Sequence, residues 1–321
     1  MRRVAAVGVV AAIAIVAALA VRDGSEPGAA TDRWRPLAPA GLERSEVAAA
    51  RIGRHIYIVG GFEGGLRTSD VVERYDIRRN RWRRVRPMPF GLNHTTAVAH
   101  DGRLYVHGGY RSALSEPTDE LLRYDPRRNR WRRLPSAPTP RAAHAAAVVG
   151  DRLYVAGGAN EAGSLRSLEV YDFDRRRWRR GPDFPGPARN HTTGVASGRF
   201  VYVLAGRDRA NFAVAERYDT RRRRWEGLPD MRTPRGGIAS AKLRDGRIVV
   251  FGGENLGPGG TTIAEVELYD PRRRRWRSLP DLRTPRHGLG GVSLGDRIYA
   301  IEGGRTPGFA LSNVIEFLDV P

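Results

Sequence analysis

The chain has 321 residues with 38 Gly, 21 Pro and no Cys, which excludes disulfides, thiolate metal sites, a cysteine nucleophile and a bacterial lipoprotein anchor. The formal net charge is +20, and because Lys242 is the sole lysine, nearly all the positive charge is arginine. That charge suits a polyanion, an acidic glycan or an anionic membrane surface, or else records a coding bias that puts arginine wherever any solvated polar residue would serve.

At the N-terminus, Arg2 and Arg3 precede an uncharged apolar run from Val4 to Val21, in which Ala18-Leu19-Ala20 resembles a small-residue cleavage site. Eighteen residues at a helical rise span about 27 Å, near the lower end for a membrane-crossing helix. Residues 1–21 are therefore expected to be a signal peptide or an uncleaved membrane anchor. Either implies export, to a secreted form or to the outer side of the cytoplasmic membrane. Residues 22–31 read as a linker, and 32–321 as one domain.

That domain is repetitive. Its six tryptophans, Trp34, Trp82, Trp131, Trp178, Trp225 and Trp276, recur at intervals of 48, 49, 47, 47 and 51 residues. Apolar runs between them end in small-residue pairs: Gly60-Gly61, Gly108-Gly109, Gly157-Gly158, Ala205-Gly206, Gly252-Gly253 and, with a departure, Glu302-Gly303. Tyr-Asp pairs follow at Tyr75, Tyr124, Tyr171, Tyr218 and Tyr269, each tyrosine seven residues before its tryptophan, which implies one rigid hairpin per unit. The third unit reads as four strands, 143–149, 152–156, 167–171 and 177–179. Four strands make one blade of a propeller, with Tyr and Trp as the filler between stacked blades.

The double glycine, the Tyr-Asp pair and the spaced tryptophan resemble the kelch family over residues 32–319. The resemblance implies an all-β fold, a six-bladed β-propeller with four antiparallel strands per blade. Ala205, Glu302 and Phe317-Leu318-Asp319 depart from the family pattern, so units four and six read as degenerate. Asp32-Arg33-Trp34-Arg35 matches a fourth strand with no first three before it, and 290–294, 297–301 and 313–318 supply the missing three. The N-terminal strand is therefore expected to close the last blade.

In such a ring the connections between strands two and three and from strand four to the next blade share one face. There the loops after the small-residue pairs offer Arg111, Asn160, Arg207, Asp208, Glu254 and Arg305 as ligand-binding candidates, since binding residues concentrate on loops held by a rigid scaffold. Arg44, Arg141, Arg235 and Arg286 recur before the first strands as further candidates, or as hydrogen-bonding supports for the inner strands. His94, His144 and His191 are read three residues beyond that position; they fall on separate blades with no visible group to orient them, so no metal is expected. On the opposite face the hairpin turns carry arginine clusters, among them Arg127, Arg128, Arg222, Arg223, Arg273 and Arg274, a basic ring suited to a polyanion or simply a solvated surface.

No HExxH or phosphate-loop motif is present, and no cofactor is expected. The function expected is that of an exported, monomeric binding or scaffold module recognising a protein, a glycan or an anionic envelope polymer, with nucleic acid disfavoured by export. The alternative implied by the resemblance is a carbohydrate-active propeller such as a sialic acid mutarotase or epimerase, using Arg111, Arg207 and Glu254 to relay protons.

Overall fold

The structure is a computed structural model that describes residues 33–257 and 259–321; the expected leader at 1–21 and linker at 22–31 lie outside the described residues. Among the described residues no helix is long and apolar enough to cross a membrane.

Six four-stranded antiparallel sheets follow one another around a ring. The third blade runs Ala145–Val149, Arg152–Ala156, Leu168–Asp172 and Arg177–Arg180, within two residues of the sequence reading. The sixth takes Gly290–Leu294, Arg297–Ile301 and Ile315–Asp319 from the C-terminal end and Arg35–Pro36 from the N-terminal end, paired Arg35 with Phe317 and Pro36 with Glu316. The expected closure is therefore present. Two-stranded ribbons in the connections of the first three blades, such as Tyr110–Ser112 with Ser115–Pro117, were not legible in the sequence, because each strand is only two or three residues long.

Small residues on the inner strands let the six sheets converge. A Cβ on Gly194 would lie 2.6 Å from the Ala146 amide nitrogen of the preceding blade. Adjacent blades are then locked by two repeating bonds. The second glycine of each pair donates its N–H to a carbonyl at the start of the next blade: Gly109 to Arg141 (2.8 Å), Gly158 to Arg189 (2.9 Å) and, closing the ring, Gly303 to Arg44 (2.9 Å). The approach is close: a Cβ on Gly108 would meet the Arg141 carbonyl at 2.4 Å. Ala205 and Glu302 occupy the same left-handed position at φ 49° and 55°, so units four and six keep the geometry that their sequences obscure.

The second repeating bond comes from the tryptophans. Each indole N–H reaches back to the preceding blade, Trp82 to the Ala38 carbonyl (2.8 Å), Trp178 to Pro135 (2.8 Å) and Trp34 to Pro280 (2.9 Å). The expectation of buried aromatic filler holds fully for the tyrosines; of the tryptophans only Trp34 and Trp276 are buried, while the other four lie half-exposed with the ring nitrogen anchored.

Candidate functional site

The four recurring arginines do not face a ligand. Arg44, Arg141, Arg235 and Arg286 have no exposed surface, and each pairs with a buried glutamate on the third strand of its own blade: Glu73 (3.0 Å), Glu169 (3.1 Å), Glu267 (2.8 Å) and Glu316 (3.0 Å). Arg189 with Glu216 (2.7 Å) is a fifth such pair that the sequence reading passed over. The guanidinium groups of Arg44, Arg141, Arg189 and Arg235 also donate to backbone carbonyls, Arg141 to Gly157 at 2.8 Å for example, and Arg286 is held by its ion pair, so these arginines brace the blades and Arg44, Arg141, Arg235 and Arg286 are withdrawn from the binding candidates. In the second blade both members are apolar: Leu92 and Leu122 take the arginine and glutamate positions. The matched loss was a visible signal, a glutamate two residues before the Tyr-Asp pair wherever the arginine is present.

The histidine register is also corrected. His94 and His191 stand two residues after the Leu92/Arg189 position, whereas His144 stands three after Arg141. Glu46, His94, Ala143, His191, Gly237 and Gly288 are equivalent, all with positive φ between 48° and 69°. Their backbones form a collar around the axis, with His94 N–H donating to Glu46 O (3.1 Å) and Gly288 N–H to Gly237 O (2.8 Å). His144 instead lies in the channel wall, its Nε2 beside His107 Nδ1 (3.0 Å) and Thr96 Oγ1 (2.9 Å). The repeated Asn-His-Thr-Thr of residues 93–96 and 190–193 would have shown the true register.

The collar caps an axial channel of about 390 Å³ lined by the inner strands. Around its mouth lies a buried polar chain. Arg207 donates to Glu254 (2.6 Å), His287 Nδ1 lies between Glu254 (3.6 Å) and Glu46 (3.2 Å), Glu46 reaches His94 Nε2 (3.2 Å), and His94 Nε2 faces His191 Nε2 (3.1 Å). His287 Nε2 sits 3.1 Å from the Thr306 carbonyl, an acceptor only, so both ring nitrogens carry protons. Burial opposes that charge, but the hydrogen bond to Glu46 and the charges of Glu46 and Glu254 raise the His287 pKa above its ordinary value. For Glu46 burial acts upward, and the interactions with His94, His287 and His191 around it prevail, holding the carboxyl well below the usual range.

Of the loop candidates, only Arg207 and Glu254 join this cluster. Arg111 is exposed and lies over the Phe90 ring, 4.0 Å from its centroid. Asn160 caps its own ribbon through Ala162 N–H (3.0 Å), Asp208 accepts from Ser164 Oγ (2.7 Å), and Arg305 stays at the rim, its carbonyl bonded to Thr262 (2.9 Å). The turn-face arginines are exposed as expected. Their turns are built on aspartate caps, Asp125 accepting from the Arg127 and Arg128 amides and Asp270 from those of Arg272 and Arg273.

A ring of four-stranded blades with a polar axial mouth defines a β-propeller, and comparison with known proteins gives its family. Residues 46–237 match the family model described as the KLHDC2/KLHL20/DRC7 Kelch-repeats domain, and residues 244–283 match the Kelch motif. The chain belongs to the kelch-repeat family. It is 36% identical over 70 residues to Kelch-like protein terF of Aspergillus terreus, covering 21% of this chain and 15% of that protein. It is likewise 36% identical over 94 residues to human Kelch repeat and BTB domain-containing protein 12, covering 26% of this chain and 15% of the relative. Each match thus spans only a small part of its relative. Among solved structures, that titled "Structure of YjhT" superposes with a TM-score of 0.76 at 17% identity, covering 88% of this chain and 97% of the other, a likeness of fold.

Proposed function

We propose that this propeller is an exported binding module that docks a protein partner on its loop face. A kelch propeller is consistent with a protein-binding or scaffold role. One observation carries the choice of face: the four exposed large apolar side chains among the described residues, Leu66, Leu114, Leu256 and Phe309, all lie in connections between second and third strands. The fold places those connections, which belong to four consecutive blades of the ring, on one face beside the polar mouth, whereas the opposite face presents charged turns. Exposed large apolar side chains gathered on one face are what a protein partner would bury. The apolar run at residues 4–21 supports export.

The test compares chemical crosslinking and co-purification of three forms from the producing cell. The wild type is set beside a loop-face variant, Leu114→Asp, Leu256→Asp and Phe309→Asp, and a turn-face variant in which Arg127, Arg128, Arg222, Arg223, Arg273 and Arg274 become Ser. A partner retained by the turn-face variant and lost by the loop-face one is the expected result; the reverse pattern would assign function to the basic ring and its salt-sensitive attraction for anions. Fractionation with N-terminal sequencing tests export.

A second reading, sugar anomer exchange, is favoured by the Arg207–Glu254 pair at the mouth, which offers a buried carboxylate and a partly exposed guanidinium side by side. Arg111, stacked on Phe90, has no part in it. Exchange of sialic acid anomers followed by nuclear magnetic resonance discriminates the two readings: a rate no faster than buffer removes the enzyme.

A further inference from the structure

The geometry points to a zinc site at the collar, formed by His94 Nε2, His191 Nε2 and a Glu46 carboxylate oxygen. These ligand atoms lie within 4.8 Å of one another, on three blades that only the closed ring brings together.

The histidine tautomers are fixed from behind. Asn93 donates its amide hydrogens to Thr68 Oγ1 (2.9 Å) and the Ala113 carbonyl (2.8 Å), so its Oδ1 must accept, and His94 Nδ1 lies 2.7 Å from it as the donor. Asn190 donates to Ser164 Oγ (2.7 Å), and its Oδ1 accepts from His191 Nδ1 in the same way. With both Nδ1 atoms protonated, the two neutral imidazoles aim bare Nε2 lone pairs at each other across 3.1 Å, with a Glu46 oxygen 3.2 Å from one of them. Three electron-rich atoms converge with no donor among them. A cation resolves the arrangement. Ligand atoms about 2.1 Å from a tetrahedral zinc stand roughly 3.4 Å apart, close to the separations seen.

The surroundings complete such a site. His287 holds the other Glu46 oxygen (3.2 Å), orienting the carboxylate, and the amide-held imidazoles have the outer support usual for metal-ligating histidines. The other three collar positions, Ala143, Gly237 and Gly288, carry no donor atom, which leaves a coordination position open for water or a ligand group. The inference does not depend on the docking reading, because the site stands on its own side chains.

The test uses untagged chain freed of metal by chelation and titrated calorimetrically with zinc and, separately, with cobalt(II) as a coloured probe. The expected result is one zinc per chain, a rise in melting temperature on addition and a cobalt visible spectrum of low coordination number. His94→Gln and His191→Gln should each abolish saturable binding, Asn190→Ala should weaken it roughly 10- to 100-fold, and His144→Gln should leave it unchanged. Nitrogen-15 spectra of wild-type histidines need no variant: zinc should shift the two Nε2 resonances while both Nδ1 protons persist. Absence of saturable binding by the wild type, or binding retained by the double His94→Gln, His191→Gln variant, overturns the site, and a proton found between the two rings names its occupant instead.

Discussion

Arg44 grips Glu302 with two parallel bonds, Nε to Oε2 at 3.0 Å and Nη2 to Oε1 at 2.9 Å, joining the first blade to the sixth across 258 residues of sequence. The same guanidinium reaches Glu73 at 3.0 Å, so one buried cation serves two buried carboxylates. Burial pushes the Glu302 carboxyl up to about 7 against the pull of Arg44, with the nearby Glu73 adding to the rise. The folded chain then binds more protons than the unfolded one between about pH 4.5 and about pH 7, so this group's contribution is most favourable below that window and declines as pH rises through it. Glu302→Gln should flatten that decline. Melting temperatures of both forms across the window check it, and parallel curves would refute the assignment.

Removing one member of a buried arginine–glutamate pair should be far worse than removing both. Arg141→Leu or Glu169→Leu alone leaves a buried charge unpaired and should cost about 3–5 kcal/mol. The double variant reproduces what the second blade already has in Leu92 and Leu122 and should recover most of the loss. Urea denaturation of the double-mutant cycle measures the coupling; additive losses would show that the pair acts independently.

Trp34, immediately before a strand only two residues long, is buried against Phe251, ring centroids 5.8 Å apart. Trp34→Ala should cost roughly 3–5 kcal/mol. Deleting residues 22–38 should open the sixth blade to edge-to-edge association, seen as aggregation by light scattering at temperatures where the intact chain is monodisperse. An unchanged melting temperature in the deletion would contradict closure as a source of stability.

Three turns carry an unfavourable residue. Asn80 and Asn129 sit in the left-handed region and accept the hydroxyls of Tyr75 (2.6 Å) and Tyr124 (2.5 Å). Arg176, Arg223 and Arg274 hold the same conformation, φ 52°, 55° and 51°, and the hydroxyls of Tyr171, Tyr218 and Tyr269 are buried without a partner. Replacing each arginine by Asn should add about 0.5–1.5 kcal/mol per site by restoring the bond, apart from any relief of backbone strain. Thermal melts of the single variants test this, and no gain at any site would discount the missing bond.

What the sequence revealed depended on whether a feature repeats. The glycine pairs, the Tyr-Asp hairpins and the tryptophans recur in nearly every blade, because every blade must make the same contacts with its neighbour, and they disclosed the ring and its closure. The mouth does not repeat. Glu46, His94, His191 and His287 come from four blades, stand at two different positions in the repeat, and meet only when the ring closes. Arg207 and Glu254 are legible because they follow the small-residue pairs that mark every blade, whereas Glu46 stands two residues after Arg44 at a position where no other blade has an acid.

The position of the outer strand of the sixth blade fixes a direction. Fourth strands run from the arginine-rich turns toward the loop face, so Arg33 and Trp34 enter the ring on the basic side. A chain held to any surface by its N-terminal side would therefore lie with its arginines toward that surface and its collar turned outward. The charge would then act as a foot. On an anionic bilayer, attachment and Coulomb attraction would pull in the same sense, and the disc would stand as a platform with Leu114, Leu256 and Phe309 on its upper rim.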